Sequence, residues 1–365
     1  MPPSPFRKAI PPMDTPLYPL KFMPLFKQKV WGGNKIKTLG FDYDPLPNCG
    51  ELWALSGVEG HESVITNGFL ADNTINEALE IYMGELVGEQ NFDHFGIDFP
   101  LLVKIIDAND RLSIQVHPDD KLAQQRGMEN GKTEMWYILE ADEGATIVDG
   151  FEQEVTSDEY RQFLESGHLE RILHLEYPQP GDMFFIPAGR VHAIGKGVLL
   201  AEIQQNSECT YRIYDYNRPD VDGKMRELHT AEALEAIDFS ATTDGKTHYT
   251  YRENSTTQLA QCPYFTTNLI PLTQPMRKDF SHLDSFVLYL CVDGIAAVKS
   301  LGTVAPLHIG ECVLVPAVAD TVELFPEGRA KLLEVYIDPA QWTDTTRSHI
   351  HDNDWIAKMG VESEN

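Results

Sequence analysis

The stretch LSIQVHPDD, residues 112–120, places two possible metal donors on one face of a predicted strand. Successive strand side chains point to opposite faces, so Gln115 and His117 project together while Ile114 and Val116 face the other way. An amide oxygen and an imidazole nitrogen can both bind a metal ion. A strand with one solvated polar face explains the same pattern, and these residues alone favour that simpler interpretation.

Two further donors stand in similar surroundings later in the chain. Glu134 lies in GKTEMWYIL at the start of a predicted strand, and His192 follows a Pro-Ala stop in PAGRVHAIG. Taken singly, Glu134 is typical of a surface carboxylate and His192 of a loop histidine. With Gln115 and His117 they make a set of one amide, two imidazoles and one carboxylate. Such a set suits a borderline divalent cation, with zinc the best match.

Composition limits what such a site can serve. The 365-residue chain carries a formal net charge of -27, which disfavours nucleic acid and anionic membranes as partners. The same charge repels an anionic substrate at long range, so an anion site must be built from a local cluster of Lys and Arg. The five cysteines are scattered without a C-x-x-C pair, and no apolar run is long enough to span a membrane. These features predict a cytoplasmic protein.

Three helices carry start signals. One is predicted over 74–87, with a capping box from Thr74 to Glu77 and an apolar stripe that includes Met83. A second is predicted to begin at Asp119, and a third at a capping box that starts with Thr156.

Most of the remaining chain predicts short antiparallel strands separated by turns. Their even spacing and their β-branched and aromatic content favour sandwiches or barrels, so the predicted fold class is mainly β. The charged segment 217–255 is interpreted as a link between two such units. The clearest strands are predicted at 99–107, 135–141, 145–151, 182–188, 197–205, 285–292, 296–301, 312–317 and 332–337.

One short pattern occurs twice. The segments 181–188 and 310–317 both read G-[DE]-x, three apolar residues, then Pro-Ala. This repetition indicates a duplicated unit. In this alignment His192 of the first copy corresponds to Thr321 of the second, so only the first copy is predicted to keep the metal donor.

Four motifs, QVHPDD, GKTEMWY, PAGRVHAI and IQQNSECTYRIYDYNR, resemble those of the type I phosphomannose isomerases in order and spacing. These are the zinc-dependent mannose-6-phosphate isomerases of the cupin superfamily. The segments PLFKQKVWGGNKI and GELWALSG also resemble the N-terminal part of that family. The resemblance covers about residues 20–230, with a weaker fit of the C-terminal third to a second cupin, and the length is similar to that of the short bacterial branch.

This resemblance implies two cupin-type, jelly-roll β-barrels with a few added helices. Residues 1–16 are then an extended, proline-rich lead-in. Residues 17–240 form the catalytic cupin domain with helical insertions, and residues 241–365 form a second cupin-like domain that binds no metal.

The resemblance also implies a site and a reaction. The family's metal ligands fall on Gln115, His117, Glu134 and His192, which implies one Zn²⁺ per chain. The family interconverts mannose 6-phosphate and fructose 6-phosphate through a cis-enediol, so the implied partner is a small sugar phosphate.

The implied catalytic residues are Arg212, in the TYR of NSECTYR, and Lys132, which precedes the glutamate. The base that removes the carbon-bound proton stays open between Glu202, Lys132 and a metal-bound water. Predicted contacts to the substrate are Ser113, Lys104 and Arg190, which lie close to the motifs in sequence.

Two other functions fit parts of the pattern. A metal-dependent cupin dioxygenase could use two histidines and one carboxylate, and a non-enzymatic sugar-binding cupin could keep a degraded site. The NSECTYR segment and the basic residues near the donors argue against the first alternative. The intact set of four donors argues against the second.

Overall fold

The computed structural model describes residues 16–242 and 245–342, so the predicted lead-in lies almost wholly outside the described residues. The chain is mainly β, as predicted. The early strands are β1 (Leu20–Lys21), β2 (Leu25–Lys27), β3 (Glu51–Ser56), β4 (Leu101–Ala108), β5 (Ile114–Val116), β6 (Glu134–Ala141), β7 (Ile147–Phe151), β8 (Leu173–Glu176), β9 (Met183–Ile186), β10 (His192–Ile194), β11 (Val198–Gln205) and β12 (Tyr211–Tyr214). The later strands are β13 (Thr257–Gln261), β14 (Thr266–Leu272), β15 (Met276–Asp279), β16 (Val287–Ser300), β17 (Thr303–His308), β18 (Cys312–Val315) and β19 (Thr321–Tyr336).

Helices are few and mostly short. They are α1 (Lys35–Thr38), α2 (Ile75–Val87), α3 (Glu89–Phe95), α4 (Asp120–Gln125), α5 (Ser157–Glu165) and α6 (Thr230–Ala236), with 3₁₀ turns at Leu169–Arg171 and Pro339–Gln341. The predicted starts of α2, α4 and α5 are confirmed, because Thr74, Asp119 and Thr156 each cap a helix with the side chain. Met83 departs from its predicted place in the apolar stripe of α2. Its φ of 46° breaks the helix there, and the side chain is exposed.

The strands form three antiparallel sheets. A six-stranded sheet has the order β2-β3-β4-β11-β6-β9, and a five-stranded sheet has the order β12-β5-β10-β7-β8. An eight-stranded sheet follows the order β1-β18-β16-β19-β14-β13, with β15 on β19 and β17 on β16. The strand β1 lies early in the chain but pairs with β18, so the predicted catalytic unit lends a strand to the C-terminal sheet.

The six-stranded and five-stranded sheets face each other and enclose an interior that changes character along its length. Alternating side chains of β11 point into it, beginning with apolar Val198 and Leu200 and continuing with polar Glu202 and Gln204. The other face of the same strand carries Leu199, Ala201 and Ile203, which pack in the large core shared with α2, α3 and the eight-stranded sheet. The period of two thus puts a polar cluster at one end of an apolar barrel interior.

Two predictions about the C-terminal strands were wrong in detail. The segments predicted as separate strands at 285–292 and 296–301 belong to one strand, β16, whose register shifts near Gly294. The predicted strand at 332–337 is only the end of β19. Bulges let a strand continue through residues that look like a turn in sequence, which explains both errors.

The segment 217–255 is not merely a link. It contains α6, whose Ala233 packs with the neighbouring Ile237 into the core beneath the five-stranded sheet. It also brings Arg226 to the polar end of the barrel. The division of the chain at residue 240 stays a prediction.

Candidate metal centre and active site

The predicted metal donors come from three neighbouring strands. Gln115 lies on β5, directly across from His192, the first residue of β10. His117 follows the end of β5, and Glu134 is the first residue of β6 in the facing sheet. Strand edges that meet across the barrel therefore bring these side chains together from distant parts of the sequence.

His117, Glu134 and His192 form a compact, buried set. One potential ligand atom from each lies within 4.8 Å of the others, and all three side chains are at most 1% exposed. The Nε2 atoms of His117 and His192 stand 3.5 and 3.4 Å from the carboxylate oxygens of Glu134. Two imidazole nitrogens and one carboxylate facing one point match the donor set of catalytic zinc and related metals.

Each histidine is held in one tautomer by a backbone carbonyl. The Nδ1 of His117 contacts the carbonyl oxygen of Cys209 at 2.7 Å, and the Nδ1 of His192 contacts that of Arg190 at 2.8 Å. A carbonyl only accepts, so Nδ1 carries the proton and Nε2 keeps its lone pair. Burial lowers the pKa of His192 to about 3 and that of His117 well below its usual range, so both rings are neutral and able to bind a cation.

The buried carboxylate of Glu134 has one cation beside it and room in its coordination for a second. Burial is the main cause that raises its pKa, and the ammonium of Lys132, 2.5 Å from one oxygen, opposes that shift. Both oxygens are buried, and apart from the Lys132 ammonium on one of them, neither has a hydrogen-bond donor among the described residues. Buried carboxylates are paired or bind metals, so this part of the chain fits a divalent ion.

Gln115 is adjacent to this set but presents the wrong atom. Its amide Nε2 lies 3.2 Å from Nε2 of His192, while its oxygen accepts a hydrogen bond from the hydroxyl of Ser113 at 3.2 Å. A metal binds the amide oxygen and not the nitrogen, so Gln115 can serve as a ligand only after its amide turns over.

A second buried pair lies beside the donors. Glu202 is opposite Lys104 on β4 and Trp136 on β6. Its carboxylate pairs with the ammonium of Lys104 at 3.0 Å and accepts a hydrogen bond from the indole of Trp136 at 3.0 Å. Burial raises the pKa of Glu202, but Lys104 and Lys132 outweigh it, so the net pKa is lowered and the carboxylate is ionised at neutral pH.

These groups open into a cavity of about 260 Å³ at the polar end of the barrel. It contains Lys132, Glu202 and Arg212, as well as the predicted contacts Ser113 and Lys104. Arg190 does not line it: its guanidinium pairs with buried Asp149 at 2.6 Å. The structure thus gives Arg190 a partner away from the cavity and offers no support for a contact to substrate.

Five cations line the cavity, and four of them are neutralised by carboxylates. Arg212 is the exception, because no carboxylate of the described residues lies within ion-pair distance of it. One guanidinium nitrogen donates to the carbonyl of Glu227 at 2.9 Å, and its buried Nε has no hydrogen-bond partner among the described residues. The four neutralised pairs are Lys29–Glu51 (3.1 Å), Lys104–Glu202 (3.0 Å), Lys132–Glu134 (2.5 Å) and Arg226–Asp215 (2.6 Å).

Sequence reasoning missed several residues of this cavity. Lys29 and Glu51 come from segments that resemble the family but carried no assigned role, and Arg226 lies in the segment interpreted as a link. Trp53 also lines the cavity and donates its indole N–H to Glu51 at 2.7 Å. The resemblance of their segments to the family could have identified Lys29 and Glu51 as site residues. No local pattern in the sequence could have identified Arg226.

The fold and site define a β-barrel protein with a buried centre suited to a divalent metal. Residues 19–160 match the family model "Phosphomannose isomerase type I, catalytic domain", and residues 255–337 match "Mannose-6-phosphate isomerase, cupin domain". The chain belongs to the type I mannose-6-phosphate isomerase family. No helix in the described part of the chain is long and apolar enough to cross a membrane.

Individual relatives agree with that assignment. Mannose-6-phosphate isomerase ManA of Bacillus subtilis is 36% identical over 82% of this chain and 93% of its own length. Mannose-6-phosphate isomerase of Streptococcus mutans is 38% identical over 67% of this chain and 77% of its own length. The crystal structure of the mannose 6-phosphate isomerase from Bacillus subtilis superposes with a TM-score of 0.74 at 31% identity, covering 87% of this chain and 99% of that one.

Proposed function

We propose that this protein interconverts mannose 6-phosphate and fructose 6-phosphate by moving a proton between C1 and C2 of the open-chain sugar through a cis-enediol. The observation that carries the proposal is a buried set of two histidines and a carboxylate, whose member His192 lines a cavity that also contains an arginine without a carboxylate partner. Membership of the type I family supports the same substrate.

We propose Zn²⁺, one ion per chain, as the metal. His117, Glu134 and His192 would hold it, with Gln115 as the fourth ligand. The ion supplies a Lewis acid that stabilises negative charge on oxygen. A donor set with two imidazoles and no thiolate suits several borderline divalent metals, and zinc is one of them. The imidazoles disfavour magnesium and calcium, which prefer oxygen donors.

Glu202 is the proposed proton acceptor. It lines the cavity, and Lys104, whose ammonium lies 3.0 Å from its Oε2, keeps the carboxylate ionised. In the second half of the reaction Glu202 would return the same proton to the neighbouring carbon, while Lys104 stays charged beside the carboxylate. Lys132 is a poorer base, because its ammonium is tied to Glu134 and is needed there as a positive charge.

Arg212 is the proposed second cation for the reacting oxygens. A guanidinium stays charged and offers a planar set of donors, and here that charge is not already neutralised. Ser113 and Lys104 remain proposed contacts to the substrate because they line the cavity. Arg190 is not retained, since it pairs with Asp149 outside the cavity.

The direct test is a coupled assay for fructose 6-phosphate with zinc-loaded protein and mannose 6-phosphate. We expect turnover of mannose 6-phosphate and far slower conversion of unphosphorylated mannose to fructose, which a separate assay for fructose measures at the same concentrations. Absence of fructose 6-phosphate would overturn the proposal. Oxygen uptake with a sugar substrate would instead indicate a dioxygenase built on the same three ligands.

Removal of the metal is expected to abolish activity, and addition of Zn²⁺ is expected to restore it. The reason is that the carboxylate and the neutral imidazoles carry no positive charge themselves. Without the ion they cannot stabilise negative charge on the substrate oxygen. The fold should survive chelation, because the chain buries large apolar cores that do not contain the metal donors. Circular dichroism after dialysis against a chelator measures this, and unfolding on chelation would make the metal structural.

We propose a cytoplasmic location. All five cysteines are free thiols, none of them forming a disulfide, which suits a reducing compartment. A sugar phosphate substrate fits the same compartment, because phosphorylated sugars do not cross membranes unaided.

A further inference from the structure

We propose that the C-terminal sheet positions the catalytic segment of the first barrel through one hydrogen bond, from Tyr264 to Asp120. In this proposal Tyr264 is a positioning residue and touches neither substrate nor metal. The inference rests on the proposed isomerase function, because its consequence is read in turnover.

The first link is the contact between the two halves of the chain. Tyr264 lies in the turn between β13 and β14 of the eight-stranded sheet, and its hydroxyl donates to Oδ2 of Asp120 at 2.7 Å. Asp120 is the first residue of α4, just after the strand that carries Gln115. The contact joins residues 144 positions apart in sequence.

The second link runs from Asp120 to the residues before Glu134. The other oxygen of Asp120, Oδ1, accepts the backbone N–H of Gly131 at 2.8 Å and the amide of Gln205 at 2.9 Å. The oxygen of that same Gln205 amide accepts the backbone N–H of Thr133 at 2.8 Å. Asp120 and Gln205 therefore hold the backbone on both sides of Lys132.

The third link is close packing of the backbone. The N–H of Lys132 donates to the carbonyl of Pro118 at 3.0 Å, next to His117. A Cβ atom on Gly131 would lie 2.5 Å from the backbone of Asp119 and 2.7 Å from the carbonyl oxygen of Pro118. No side chain fits there, so the segment carrying Lys132 and the segment following His117 are locked together at this point.

Lys132 is the group near the metal donors whose position would change if this support were lost. Its ammonium lies 2.5 Å from Glu134 and 3.2 Å from Nε2 of His117, so a small shift of its backbone changes the charge at the reacting centre. Removal of a group that directly holds a metal ligand commonly alters activity by about 10- to 100-fold, and Tyr264 acts from further out, so the lower end of that range is expected. The hydroxyl of Tyr264 is the part of this network that the C-terminal sheet supplies.

The test is Tyr264→Phe, which removes the hydroxyl and keeps the partly buried ring. We expect kcat to fall about 10-fold, with KM within twofold of wild type and one zinc retained per chain. Asp120→Asn should lower kcat further. The double variant Tyr264→Phe with Asp120→Asn should match Asp120→Asn alone, because both changes act through one carboxylate.

Tyr289→Phe is the matched control. Its hydroxyl also donates to a carboxylate within the C-terminal sheet, that of Glu334 at 3.0 Å, and its ring packs among buried residues of that sheet. Both tyrosine variants should lower the melting temperature by a few degrees, and only Tyr264→Phe should lower kcat.

Three results would overturn the inference. The first is an unchanged kcat in Tyr264→Phe, and the second is an equal loss of kcat in Tyr289→Phe. The third is a double variant whose loss of kcat equals the product of the two single losses. Wild-type protein is assayed in the same series. An inactive wild type would refute the proposed function itself, which separates the two failures.

Discussion

His192→Ala is expected to lose the bound metal and, with it, about 10³-fold or more of the isomerase activity. The imidazole supplies one of the three donor atoms of the site. Its neighbours His117 and Glu134 already supply the other two, so no described residue can take its place. A metal that stabilises charge on oxygen contributes several kcal/mol, and each 1.36 kcal/mol is tenfold in rate. Elemental analysis and steady-state kinetics measure the two losses together.

Thr321→Ala is the control for that variant. Thr321 begins β19 as His192 begins β10, at the same distance in sequence from the glycines that open the repeated pattern. Those glycines, Gly181 and Gly310, both have positive φ, 94° and 82°, and both precede a four-residue strand. We expect Thr321→Ala to keep the wild-type metal content and rate. A folded but inactive Thr321→Ala would show that the second barrel takes part in catalysis.

The pairing of strands in the C-terminal sheet also supports the prediction that the second copy has lost the metal donors. Glu134 is opposite Ile186 on β9, and the residue in the same position of the second sheet is Val287, opposite Val315 on β18. The carboxylate of the first barrel is thus replaced by a buried valine. At the two aligned positions the C-terminal sheet thus has Val287 and Thr321 in place of the carboxylate and the imidazole.

Arg212→Ala is expected to lower kcat by about 10²-fold or more while the protein keeps one metal per chain. Arg212 is opposite Gln115 in the sheet and lines the cavity without a carboxylate partner, so its charge is free to act on an anionic transition state. Loss of one donor to a developing oxyanion typically has an effect of this size. If Arg212 only bound the phosphate, equally in the ground state and the transition state, Arg212→Ala would raise KM and leave kcat nearly constant.

Arg111→Ala is the matched control for this variant. Arg111 pairs with Glu170 at 3.2 Å and stacks on the ring of Tyr216, and it does not line the cavity. Steady-state kinetics on both variants, with zinc measured in each, separate a specific effect from a general loss of positive charge. Wild-type constants in Arg212→Ala would return Arg212 to a structural role.

Local signals were sufficient to predict the elements that carry the donors. The alternation in LSIQVHPDD predicted that Gln115 and His117 share a face, and side-chain caps predicted where α2, α4 and α5 begin. These features depend on residues within a few positions of one another, which is why a single sequence reveals them.

Features that depend on distant partners were not predictable in this way. Arg190 is basic and close to His192 in sequence, yet its side chain turns to Asp149 because that buried carboxylate requires a cation. The pairing of β1 with β18 and the contact of Tyr264 with Asp120 join residues far apart in the chain. Nothing in either local segment specifies such partners.

The most direct test of the account is a titration of metal-free protein with Zn²⁺, following isomerase activity against zinc per chain. The account predicts that activity rises linearly and reaches a plateau at one zinc per chain, and that His192→Ala shows no such rise. Full activity in protein shown by elemental analysis to contain no metal, or a plateau at two ions per chain, would contradict it.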